Sequence, residues 1–197
     1  HTAFLTNGNQ FLVYMSLMMI MVGFGYKISM APFHYWTPDV YEGSPTPVTA
    51  FFSIGPKAAG FAILIRVLYT IYTNDGSLNA TSALYDVNWT LIFAVLAAIT
   101  MTIGNFLALH QENVKRLLAF SSISHVGFML IAFTVIGTEA LTALLFYLVI
   151  YFFMTLSAFI ITIFVKNKLD TDTIDGWKGL AKRNPLISAF MVISLVS

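Results

Sequence analysis

Four basic or titratable side chains stand inside apolar stretches where leucine would be cheaper: Lys27, Lys57, Arg66 and His125. Lys57 lies eleven residues after Thr46, where an apolar run begins. At 1.5 Å per residue that is about 16 Å deep, near the midplane of a bilayer core about 30 Å thick. An ammonium there costs at least about 2.5 kcal/mol even on a lenient insertion scale, so it faces a wet or paired interior. Its other possible role is to cap a neighbouring helix's carbonyls. His125 lies eleven residues after Val114 and follows Ser121, Ser122 and Ser124. It therefore shares the depth of Lys57 although 68 residues separate them, and the hydroxyls beside it can hold bridging water. An imidazole titrates near neutral pH and can pass protons; its other ordinary use is a hydrogen bond between helices.

Lys27 follows Gly23-Phe24-Gly25 and precedes Pro32-Phe33-His34-Tyr35-Trp36-Thr37-Pro38. Proline has no N–H and disfavours helix at the residue before it, so the pattern predicts a break between Gly25 and Pro32. If the helix resumes through His34 and ends near Glu42, Lys27 sits at the midpoint of an interrupted span. Such breaks free backbone groups at membrane depth and commonly line ion sites. The competing reading makes Tyr35, Trp36 and Tyr41 an interfacial aromatic belt after an unbroken helix. Arg66, within about two turns of its segment's end, reads as a side chain snorkelling to the interface.

Other chemistries are excluded by what is missing. With no cysteine there is no disulfide, thiolate nucleophile or cysteine-held metal cluster. Gly23-Phe24-Gly25 lacks the third glycine of a dinucleotide loop and lies within a span. His34, His110 and His125 have no metal-ligand spacing, and no nucleophile elbow occurs. A net charge of +1 offers nothing to nucleic acid. Two deep lysines, a deep histidine and hydroxyls, without redox ligands, describe a proton path.

The elements that must position these groups are membrane helices. The 197 residues are 58% hydrophobic and 10% charged, where a soluble domain carries about a quarter. A lipid-facing backbone has to satisfy its own hydrogen bonds, which selects helix. Five full spans are expected near Phe11–Ala31, Thr46–Tyr72, Asn88–Leu109, Val114–Ile136 and Ala140–Val165, with a shorter sixth from Pro185. Turns are expected at Gly43-Ser44-Pro45, Asn74-Asp75-Gly76-Ser77 and Gly137-Thr138. No internal repeat is visible, and the chain reads as one transmembrane domain over 1–197, a piece of a longer protein. The loops at 35–45, 110–116 and 166–184 fall on one side and carry Lys115, Arg116, Lys166, Lys168, Lys178, Lys182 and Arg183. The loops at 73–87 and 137–139 carry no Lys or Arg, so the first side is expected in the cytoplasm.

Three stretches carry a resemblance: Phe24 through Lys27, Pro32, His34, Trp36 and Asp39 to Gly43-Ser44-Pro45-Thr46-Pro47; Lys57-Ala58-Ala59-Gly60; and Asn113-Val114-Lys115 through Ser121-Ser122 to His125-Val126-Gly127. Over nearly the whole chain the sequence resembles the antiporter-like membrane subunits of NADH:quinone oxidoreductase, respiratory complex I. It is most similar to subunit N: Tyr147 to Phe159 holds no lysine where the larger antiporter-like subunits tend to have one, and Lys57 stands where they usually have histidine. The resemblance implies an all-α polytopic bundle of the Mrp-related inverted-repeat type in a bacterial plasma membrane. It implies proton transfer by Lys27, Lys57 and His125, with other complex I membrane subunits and the lipid bilayer as partners. No cofactor is expected on this chain; NADH, FMN, iron–sulfur clusters and quinone would belong to partner subunits. A partner glutamate from an earlier helix and a lysine beyond Ser197 would complete the path. An Mrp-type cation/proton antiporter subunit and a passive structural membrane subunit are the alternatives.

Overall fold

A computed structural model describes residues 2–73, 88–135 and 137–196. Among them are α1 (Thr2–Ile28), α2 (Trp36–Gly43), α3 (Thr46–Thr73), α4 (Trp89–Ala108), α5 (Val114–Ile131), α6 (Thr138–Leu169), α7 (Leu180–Arg183) and α8 (Pro185–Val196), and no strand. The five expected full spans map onto α1, α3, α4, α5 and α6, and the sixth onto α8. Among the described residues four helices are long and apolar enough to cross a membrane; α1 carries a shorter apolar stretch, Tyr14–Ile28. The chain bends by 117° between the short segment Asp175–Arg183 and α8. The turn expected at 74–77, with Asp75 and Asp86 of the same loop, lies outside the described residues.

Caps fix several helix starts. The Asn88 side chain accepts from Leu91 N (3.0 Å), which makes Asn88 the cap of α4 and not its first residue. Asn113 accepts from Lys115 N (2.8 Å) and Arg116 N (3.4 Å), so α5 begins at Val114 as expected. That helix gives way to a 3₁₀ turn at Ala132–Thr134 and extended backbone at Val135, short of Ile136. Helix α6 runs past Val165 to Leu169, because Lys166 and Lys168 end the apolar run without ending the helix.

The break in the first span is present. Helix α1 stops at Ile28, Ser29 takes a left-handed backbone (φ 66°), and helix resumes at Trp36 instead of running through His34. Buried His34 therefore sits in the connecting turn. The freed polar groups find partners: Met30 N donates to Gly25 O (2.8 Å), Ala31 N to Thr100 Oγ1 on α4 (3.2 Å), Thr37 Oγ1 to Ser29 Oγ (2.6 Å) and Trp36 Nε1 to Tyr26 O (2.8 Å). This satisfies the demand that membrane depth places on irregular backbone.

Helices α4 and α5 pack backbone to backbone. A Cβ on Gly104 would stand 2.7 Å from Ser124 N, and one on Gly127 would stand 2.8 Å from Met101 N. Small residues at membrane helix contacts allow this approach. The three basic-side loops meet at one end of the bundle, as their shared side requires. Val114 N donates to Asp172 O and Ile174 N to Glu112 O, each at 2.8 Å. Arg116 Nη1 reaches Asp39 and Glu42, each at 2.8 Å, and Lys115 Nζ donates to Glu42 O (2.6 Å) and Ser44 O (3.2 Å).

Candidate proton-transfer site

Helix α3 carries Lys57 directly after Pro56, a proline inside the helix, and packs against α5 and α6. Lys57 is only 1% exposed. Its Nζ donates to the Ser122 hydroxyl on α5 and lies 5.9 Å from the centre of the buried Tyr41 ring on α2. Ser122 Oγ is 2.6 Å from Tyr151 Oη on α6, and Tyr151 in turn donates to Ser53 O on α3 (3.2 Å). A lysine, two hydroxyls and a carbonyl thus form one continuous string across three helices. Among the described residues no carboxylate makes an ion pair with Lys57.

His125 stands one turn beyond Ser122 on α5 and is half-buried. Its Nδ1 is 2.7 Å from Tyr147 Oη, and its ring centre is 5.5 Å from that of Tyr151. A cavity of about 20 Å³, room for about one water molecule, touches Ser121, Ser122, His125, Tyr151, Thr155 and Ser194. The structure therefore brings Lys57 and His125 to one polar seam, with Ser121 and Ser122 beside them. Ser124 turns the other way and donates to Asn105 Oδ1 on α4 (3.0 Å).

Lys27 is not part of this seam. It is exposed in the last turn of α1, and its Cγ lies 3.7 Å from where a Cβ on Gly60 would be. Its stem thus runs along α3 one turn beyond Lys57, but no described hydrogen bond joins Lys27 to the seam. Arg66 is also exposed, in keeping with a snorkelling side chain.

Sequence reasoning passed over Tyr147 and Tyr151, which complete the site. The available signal was their spacing: four residues apart, two tyrosine hydroxyls fall on one face of α6, and Thr155 continues that face one turn on.

Residues 2–197 match the family described as NADH:quinone oxidoreductase/Mrp antiporter, TM. The chain is 50% identical over 188 residues to an NADH-quinone oxidoreductase subunit N 2 of Sorangium cellulosum, covering 94% of this chain and 36% of that protein. It is 41% identical over 193 residues to the subunit N of Chlorobium chlorochromatii, covering 98% of this chain and 37% of that one. The chain thus spans about a third of the length of these relatives. Among solved structures it resembles a chain of the archaeal membrane-bound sulfane sulfur reductase (TM-score 0.74, 29% identity, 87% of this chain and 34% of that one). It also resembles a chain of respiratory complex I from Thermus thermophilus with bound aureothin (TM-score 0.60, 32% identity, 88% and 35%). These matches and the apolar helices make it a multi-pass membrane protein.

Proposed function

Because the chain belongs to the NADH:quinone oxidoreductase/Mrp antiporter membrane family, we propose that it is part of a subunit N that moves protons through Lys57 and His125 while electrons flow in other subunits. NADH, FMN, iron–sulfur clusters and quinone belong to those partners in this reading, and Lys27 is the proton-exchanging group on its broken helix. The observation that carries the reading is the setting of Lys57: a buried ammonium bonded to a neutral hydroxyl, with no carboxylate pair among the described residues. No counter-ion among the described residues locks that charge, so small changes beside it decide whether the proton stays or leaves. Identities of 41–50% to quinone-oxidoreductase subunits favour this complex over the sulfane sulfur reductase, whose chain is 29% identical.

The test is Lys57→Arg in the full-length protein in its native membrane. Arginine keeps a charge but scarcely releases its proton, so NADH-driven proton pumping by vesicles should fall as far as it does for Lys57→Ala. Normal pumping by Lys57→Arg would make Lys57 a fixed charge. The end of the bundle that carries Lys115 and Lys178 is cytoplasmic in this reading, and the membrane is the bacterial plasma membrane. In intact cells an impermeant thiol reagent should label Glu139→Cys and spare Lys178→Cys; the reverse pattern inverts the orientation.

A further inference from the structure

We propose that Ser122 and Tyr151, with one water in the adjoining cavity, form the relay that carries a proton between Lys57 and His125. The proposal rests on the reading that these two residues exchange protons, and it names the atoms between them. Lys57 Nζ already donates to Ser122 Oγ, and Ser122 Oγ is 2.6 Å from Tyr151 Oη. The cavity of about 20 Å³ touches Ser122, Tyr151 and His125 together, so a single water there bridges the hydroxyl pair to the imidazole. Ser194 lines the same cavity from α8 and donates its own proton to Phe190 O (2.7 Å), so it offers that water lone pairs only.

Protons balance along the string. Lys57 gives one to Ser122 Oγ as the Ser122 hydroxyl proton passes to Tyr151 Oη, the Tyr151 proton passes to water, and a water proton passes to His125 Nε2. Every oxygen ends as it began, one proton has moved, and nothing is oxidised or reduced. The transfer uses the tautomer in which Nδ1–H donates to Tyr147 Oη, 2.7 Å away, which leaves Nε2 bare to receive. Tyr151 is the group that can interrupt transfer, because its O–H donates to Ser53 O at 3.2 Å and has to turn from that carbonyl to the cavity.

Tyr151→Phe removes one oxygen and keeps the ring beside His125. In the full-length protein in native membrane vesicles, normalised to the amount of protein, proton pumping should fall ~tenfold or more, as expected when a positioned proton-transfer group is removed. The remaining rate should show a larger solvent deuterium isotope effect than the unsubstituted protein. Ser122→Ala should behave alike, and Ser122→Thr, which returns a hydroxyl, should recover part of the loss. Wild-type pumping by Tyr151→Phe and Ser122→Ala, with Lys57→Ala impaired, would overturn the relay and leave the wider reading standing. Wild-type pumping by Lys57→Ala would overturn both. Lost pumping with an unchanged isotope effect, or no recovery by Ser122→Thr, would mark a structural role and overturn the relay.

Discussion

Lys57 and Lys115 are both buried, at 1% and 4% exposure, on helices that pack in the same bundle, yet their surroundings differ in kind. Lys115 Nζ faces the carbonyl end of α2, bonding Glu42 O and Ser44 O, with Asp172 at 3.8 Å. That end of a helix carries partial negative charge, so the ammonium is matched by dipole, carbonyls and carboxylate at once. Asp172 is also held by Lys166 (2.5 Å), and Arg116 ties the carboxylates of Asp39 and Glu42. Lys57 has a hydroxyl and an aromatic ring. The same side chain at the same degree of burial meets carbonyls and a carboxylate in one place, which clamp it, and only neutral described groups in the other, which is the setting the proposed exchange requires. Burial alone identifies neither role; the partners do.

The largest expected effect tests that contrast directly, with methionine at each position. Lys115→Met leaves two carbonyls and Asp172 facing an apolar side chain, and should lower stability by roughly 3–5 kcal/mol, the usual cost of removing one partner from a buried charge network. Lys57→Met replaces a buried charge without a carboxylate by an apolar chain of similar length. Stability should hold or rise, since such replacements are often neutral or favourable, while pumping is lost. Thermal denaturation of the detergent-purified full-length protein, beside pumping in vesicles, checks both. A Lys57→Met protein that melts far below Lys115→Met would reverse the assignment. Lys115→Arg keeps a fixed charge at the clamp and should pump, the opposite of the same change at Lys57.

What could be read from the sequence follows from which physical signals are local. The starts of α3 at Thr46 and α5 at Val114 were legible because Gly43-Ser44-Pro45 and Asn113 are local stop and cap signals, and with them came the depths of Lys57 and His125. The break after Ile28 was legible from Pro32 and the glycines; its far edge at Trp36 was not, because the turn is held by long-range partners such as Thr100. The spacing of Tyr147 and Tyr151 marked one hydroxyl-bearing face of α6, but which neighbour that face meets depends on the packing of α6 against α3 and α5, which the sequence does not announce. Lys115 is a marker of membrane side in the sequence and a buried clamp in the structure; only the approach of α2 separates those roles.

The smallest expected effect is at Lys178, which completes the range from buried to solvent-exposed charge. Its Nζ is 2.7 Å from Asp175 Oδ1, a shorter separation than that of Lys115 from Asp172, yet the two side chains are 76% and 82% exposed. Water screens such a pair, and ordering two mobile side chains offsets much of the attraction, so Lys178→Ala should change stability by under about 0.5 kcal/mol. Pumping should be unchanged as well, since Lys178 touches no part of the polar seam. The measurements are those used for the methionine variants, and a loss approaching that of Lys115→Met would mean that distance, not surroundings, sets what a lysine contributes here. If the effect is small, three lysines on one chain rank by their surroundings: clamped by carbonyls and a carboxylate at 115, held by a neutral hydroxyl at 57, and in a water-screened pair at 178.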